Sequence, residues 1–449
     1  MPATVVIGAQ FGDEAKGKIT DVIAAGARYV VRTSGGPNAG HTIEIPEGKV
    51  VLHQVAAGIV RDGVTAVSGP GMVVQPFKLI EEIRALKDRG LWKGRFLLSD
   101  RAHLVLPIHE AEDAWEDELR ASRSPAGPLG TTRRGIGPAY ADRAGRWGVR
   151  VDDLYHPETL GKRLELLYAT KGHLANAAAP GRASEVASQL AGAAEELRPY
   201  VTAVEPILWE AIDGGERVIL EGAQSTLLDV DHGTYPFVTS SHPTTAGALE
   251  GSGLPPGAVD EVVGVLKGYA TRVGAGPFPT EDTGEQGAYL QQKGGERGAT
   301  TGRPRRCGWL DLVLLRYAAR LNGFTALAVT KVDVLGGLRE IPVCVEYRLP
   351  SGALAHDLPP TSADDLARVE PVYVRLPGWP ELDARMIERI DRDGERALPR
   401  ELRQFLGFLE EQTRIPVRYV SYGPGREATL DRSSRPGVRS GRSVRPWSG

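Results

Sequence analysis

Short runs of β-branched and other apolar residues recur along the chain at 3–7, 28–32, 64–67, 217–220, 261–266, 325–330, 341–346 and 417–420. Their length and composition predict buried strands. Helical spacing appears between them. Over 77–90 it sets Leu79, Ile80, Ile83 and Leu86 on one stripe with Gly90 as a stop, and similar patterns cover 183–199, 311–321 and 398–413. The alternation predicts an α/β fold with a large, mostly parallel central sheet, flanking helices, and ligands at the loops beyond the strand ends. No internal repeat or linker divides the pattern. Residues 1–430 are therefore expected to form a single domain, with a loop over 172–182. Residues 431–449 are rich in Arg, Ser and Gly and are expected to be a disordered tail.

Composition narrows the class. The chain of 449 residues carries 54 Lys+Arg against 57 Asp+Glu, a formal charge of −3, which argues against an overall polyanion-binding surface and a nucleic-acid partner. No apolar run reaches the roughly 18 to 20 residues of a membrane span, and the start lacks a long apolar leader. Cys307 and Cys344 stand alone, too few for a disulfide framework, and are read as free thiols. A cytoplasmic protein is expected. The 55 glycines cluster beside Asn, Thr, Lys and Arg, as loops holding polar ligands would require.

Four loops carry candidate chemistry. GDEAKGK, Gly12 to Lys18, has the spacing of a phosphate loop, yet Ile19 stands where a magnesium-binding hydroxyl would be expected, leaving Asp13 as the candidate metal ligand. Only 11 of the 54 basic residues are lysine, and Lys16 and Lys18 both fall in this loop; a compact ammonium suits phosphate. SGGPNAGHT, Ser34 to Thr42, contains Asn38 and His41. TKVD, Thr330 to Asp333, places a carboxylate just past a strand end, where it can accept the ring N–H and exocyclic amine of guanine. GATTGRPRR, Gly298 to Arg306, suits carboxylates or phosphates.

Taken in order, GDEAKGK, GGPNAGHT, GTTRRGIGPAY at 130–140, EGAQSTLLDVDHGTYPFVTSS at 221–241, TRVGAGPFPTE at 271–281, GATTGRPRRCGWLD at 298–311 and TKVD resemble the adenylosuccinate synthetase family. The resemblance implies that family's P-loop-NTPase-like fold and its reaction: ligation of L-aspartate to IMP, driven by GTP with Mg2+, through a 6-phosphoryl intermediate. By the same resemblance Asp13 is the base, His41 the acid and Gln224 the partner of the 6-oxygen. Asp13 and the Gly40 carbonyl hold the metal. GTP falls to Gly12, Asp13, Glu14, Ala15, Lys16, Gly17, Lys18, Gly40, His41, Thr42, Arg305, Lys331, Val332, Asp333, Ser421, Tyr422 and Gly423. IMP falls to Asp13, Asn38, Ala39, Gly40, His41, Thr132, Gln224, Thr239 and Arg303, with Arg146 supplied by the neighbouring subunit of a homodimer. Aspartate falls to Ala299, Thr300, Thr301, Gly302, Arg303 and Arg305.

Four positions depart from the family's usual motifs. Ala15, Arg133 and Ser225 stand where glycine is usual, and His242 where asparagine is. A methyl group at 15 is expected only if φ there is negative. Arg133, Ser225 and His242 are expected on the monophosphate side, where neutral drift or a changed substrate would both fit. Two further readings follow: a paralogue acting on a related purine-like nucleotide in a nucleoside-antibiotic pathway, and a GTP-binding protein without turnover.

Overall fold

The computed structural model describes residues 3–124, 128–174, 182–298 and 302–433. Ten strands form the central sheet. Across it, from one edge, run Thr429–Asp431, Val417–Ser421, Ala326–Thr330, Val259–Lys267, Ala3–Gly8, Val218–Glu221, Tyr29–Arg32, Thr65–Ser68, Arg95–Ser99 and Val201–Thr202. Every neighbouring pair is parallel except the edge strand Thr429–Asp431, which runs antiparallel to Val417–Ser421. The run at 341–346 lies elsewhere. It belongs to Glu340–Arg348 in a smaller sheet, antiparallel to Glu370–Pro377 and Leu354–Ala355; β-branched composition favours a strand without choosing its partner.

The central strands are apolar on both faces because helices cover both. Alternation divides their side chains between two cores: Val6, Val30 and Ala66 join one, while Val5, Ile7, Val31 and Val67 join the other. The expected helices lie at Pro76–Asp88, Ala183–Leu197, Leu312–Asn322 and Arg400–Thr413. The first begins where the Gln75 side chain accepts from the Lys78 amide and Pro76 takes the first helical position. Asp311 caps the third in the same way, and Gly323 ends it at φ 66. Pro107–Arg123, Ile136–Gly145 and Val204–Asp213 are further helices that the apolar pattern did not disclose. Cys307 and Cys344 are buried free thiols. No helix of the described residues is long and apolar enough to cross a membrane. The tail expected at 431–449 falls almost wholly on 434–449, outside the described residues.

Candidate active site

Because the central strands are parallel, their C-terminal ends lie along one edge of the sheet, and the loops leaving them meet. The loops after Gly8, Arg32, Glu221, Thr330 and Ser421 converge on one cavity of about 540 Å³. Its walls include Gly12, Asp13, Ala15, Lys16, Gly17, Lys18, Asn38, Ala39, Gly40, His41, Thr42, Thr132, Gln224, Thr239, Arg303, Arg305, Lys331, Asp333, Ser421 and Gly423. Glu14, Val332 and Tyr422 are buried just behind these walls. Ala299, Thr300 and Thr301 lie outside the described residues, and exposed Gly302 is not among the lining residues.

The phosphate loop turns sharply before the helix Lys16–Ile23. Ala15 takes the cap position at φ 67, so the expected negative φ is overturned: the turn needs a left-handed residue there and Ala15 adopts that conformation with strain. Gly17 must be glycine for a different reason, since a Cβ there would lie 2.8 Å from the His41 Cβ. Lys16 Nζ binds Glu14 Oε2 at 2.6 Å in a fully buried pair. Lys18 points to the other end of the cavity, where its ammonium donates to Ser421 Oγ at 2.7 Å and to the carbonyls of Gly423 and Ala428 at 2.6 and 3.1 Å. Burial pushes the Lys18 pKa down to about 8 against the pull of Asp333, Glu427 and Glu44.

His41 opens a strand, His41–Ile45, with Nδ1 on the Glu221 carboxylate. Glu221 also accepts from the Ala57 amide at 2.8 Å and lies 4.0 Å from the Arg32 guanidinium. Burial and Arg32 push the His41 pKa down to about 4, outweighing Glu221. The Glu221 carboxyl is raised by burial but lowered further by His41 and Arg32. A neutral imidazole donating from Nδ1 to a carboxylate follows. Gln224 stands at φ 53 with its buried Oε1 lacking a hydrogen-bond partner among the described residues.

Arg305 Nε lies 2.6 Å from Asp13 Oδ2, and its other end meets Glu296. Glu296 in turn binds Lys267 Nζ at 2.8 Å and the Tyr269 hydroxyl. Burial raises the Glu296 pKa, yet Lys267, Arg305 and Lys331 bring it down to about 2. Asp333 lines the cavity beside Lys331, whose Nζ donates to the Gly294 carbonyl at 2.8 Å; burial raises the Asp333 carboxyl.

Arg146 is exposed, not among the residues lining this chain's cavity, and ends the helix Ile136–Gly145 at φ 66. Of the four departures, only Ala15 lines the cavity. Arg133 is exposed and bonds Glu118 at 3.1 Å, His242 lies 3.3 Å from Asp229, and Ser225 is buried behind the phosphate loop. None of these three side chains lines the cavity; each meets an acid, Arg133 Glu118, His242 Asp229 and Ser225 Glu14. Sequence reasoning missed Arg32, Glu221 and Lys267, all wholly buried. Their signal is shared: each is a charge closing an apolar run at a strand end, in YVVR, VILE and the VVGVLK half of VDEVVGVLK. A buried charge at a strand end needs a partner, and the partners sit at the ligand loops.

Comparison with known proteins agrees with this arrangement. The family profile for adenylosuccinate synthetase matches residues 5–430. The adenylosuccinate synthetase of Thermobifida fusca is 45% identical over 434 residues, covering 96% of this chain and 99% of that one. That of Moorella thermoacetica is 46% identical over 436 residues, covering 96% and 99%. The fully ligated adenylosuccinate synthetase of Plasmodium falciparum superposes with a TM-score of 0.88 at 34% identity, covering 96% of this chain and 100% of that one. The succinoaminodeoxyadenylate synthetase of cyanophage S-2L, at 20% identity and TM-score 0.60, shares the fold. With the phosphate loop, the acid-bearing strand ends and nearly the whole chain matched in order, the protein belongs to the adenylosuccinate synthetase family.

Proposed function

We propose that this chain joins L-aspartate to IMP at the expense of GTP, giving adenylosuccinate, GDP and phosphate. One observation carries the reading: the phosphate loop, His41, Gln224 and the Lys331–Asp333 turn line a single cavity. The 6-oxygen of the base is a poor leaving group. Removing the N1 proton makes that oxygen a nucleophile toward the γ-phosphorus, GDP departs, and the amine of aspartate then displaces phosphate from carbon 6.

Asp13 takes the N1 proton. The guanidinium of Arg305, 2.6 Å away, occupies that carboxylate. Arg305 must turn to another anion, and the carboxylates of aspartate supply one. Gln224 donates to the 6-oxygen, and Lys16 with the loop amides holds the phosphates. His41 must be charged to donate from Nε2, because Nδ1 already serves Glu221. A phosphoryl anion arriving at Nε2 raises the imidazole pKa and draws in that proton. Asp333 reads guanine while Lys18 holds the Ser421–Gly423 loop against it. Asn38, Thr132, Thr239 and Arg303 take IMP, completed by Arg146 from a second copy in a homodimer.

Magnesium suits this donor set. Among the described residues no cluster of three or more acids, histidines or cysteines could hold a metal alone. The Asp13 carboxylate and Gly40 carbonyl are hard oxygens on the cavity wall, and magnesium commonly takes its remaining ligands from water and phosphate. Bound there, it would neutralise phosphate charge.

Phosphate release from GTP should require IMP and aspartate together, and Asp13→Asn should abolish it while leaving the fold intact. Release without IMP would overturn the reading. Turnover only with an analogue of IMP would favour the paralogue, and GTP binding without turnover the non-catalytic protein.

A further inference from the structure

We propose that Ser225 is a positioning residue that ties the Gln224 loop to the phosphate loop through the carboxylate of Glu14, and that phosphoryl transfer depends on this tie. The inference rests on the functional reading above.

Ser225 is 0% exposed and lies 211 residues from Glu14 in sequence, yet its hydroxyl meets the phosphate loop directly because the strands Ala3–Gly8 and Val218–Glu221 are neighbours. Oγ accepts from the Gln10 amide at 3.0 Å and donates to Glu14 Oε1 at 2.7 Å. The same Glu14 oxygen accepts from the Gly12 amide at 2.8 Å, and Oε2 holds the Lys16 ammonium at 2.6 Å. One buried carboxylate therefore gathers the backbone at 10 and 12, the phosphate-binding lysine and the residue next to Gln224. Burial raises the Glu14 carboxyl, but Lys16 and the hydrogen bonds from Lys16 and Ser225 hold it below its usual value. Room for the hydroxyl is provided by Gly8, where a Cβ would lie 2.6 Å from Ser225 Oγ.

The tie matters because its two ends hold the two reacting groups. In the reading above, Lys16 and the loop amides hold the phosphoryl donor, and Gln224, at φ 53 on the cavity wall, donates its side-chain N–H to the acceptor oxygen. A misplacement of about 1 Å between such groups can cost roughly 100-fold in rate. An alanine at 225 removes the only link supplied by a side chain of the Gln224 loop to Glu14 in the hydrogen bonds above. A glycine also frees the backbone beside Gln224.

The test compares wild type, Ser225→Ala and Ser225→Gly in kcat, in KM for each substrate, in thermal midpoint, and in affinity for a non-hydrolysable GTP analogue by calorimetry. For Ser225→Ala we expect kcat about tenfold lower, KM for GTP raised, KM for aspartate within about twofold of wild type, and analogue affinity about fivefold weaker. Ser225→Gly should lose more. A lowered thermal midpoint with unchanged kcat, KM and analogue affinity would overturn the proposal, as a merely structural hydroxyl behaves that way. So would no change in any readout. If wild type itself shows no ligation, the functional reading fails separately, and unchanged analogue affinity in Ser225→Ala still overturns the tie.

Discussion

Asp13, Ala15, Gln224 and Lys331 all adopt positive φ and all line one cavity. Non-glycine residues persist there only when their surroundings over-determine them, and such strain gathers at ligand sites. For Ala15 no side-chain function offsets the strain. Ala15→Gly should therefore stabilise the protein by about 1 kcal/mol, read as a higher denaturant midpoint with ligation retained. Gln224→Gly relieves strain too but removes the amide, so its kcat should fall steeply while its midpoint holds or rises. At this scale the motif strings disclosed most of the residues that line the cavity. They did not disclose that Ser225 faces Glu14 or that His41 leans on Glu221, because neither pairing is visible until separate strands stand side by side.

At the scale of elements, buried charges close three central strands and meet charges on the ligand loops. Lys267 is paired with Glu296, which also holds Arg305 near Asp13. Glu296→Gln would leave a buried ammonium short of its counter-charge, at a cost of about 3–5 kcal/mol in unfolding free energy. Denaturant titration checks the loss. At the other end, Lys18 fastens the Ser421–Gly423 loop, so Lys18→Met should raise KM for GTP by at least about tenfold while sparing KM for aspartate. Strands and four helices were legible from periodicity, since each buries one continuous apolar stripe or run. Helix Pro107–Arg123 was not. Its buried residues include His109, Glu112, Asp113 and Asp117, so no apolar stripe marks it.

For the whole molecule, pH dependence follows from groups that folding shifts. His41 and His103 are buried with pKa near 4, His103 through burial and then Arg143, Arg150 and Arg163. A histidine depressed on folding takes up protons more readily when unfolded, so stability falls as pH drops from about 6.5 towards 4. Glu296 adds a loss between about 4.5 and 2, as its depressed carboxyl is protonated. Denaturation midpoints should therefore decline already between pH 7 and 5, before ordinary carboxylates titrate. Assembly offers a second check. Because Arg146 is exposed and not among the residues lining its own cavity, mixing Asp13→Asn with Arg146→Leu chains should restore activity that neither has alone; no restoration would sink the shared site.

The chain's one-dimensional order determined the family, the parallel α/β architecture and the loops that carry the chemistry, because strand runs, glycine clusters and phosphate-loop spacing are local patterns. Tertiary structure alone decided that Lys18 holds the Ser421–Gly423 loop, that Ser225 meets Glu14, and that Arg305 sits on Asp13. Each is a contact between residues distant in sequence, and a buried polar group takes whichever partner the packed strands bring within hydrogen-bond reach.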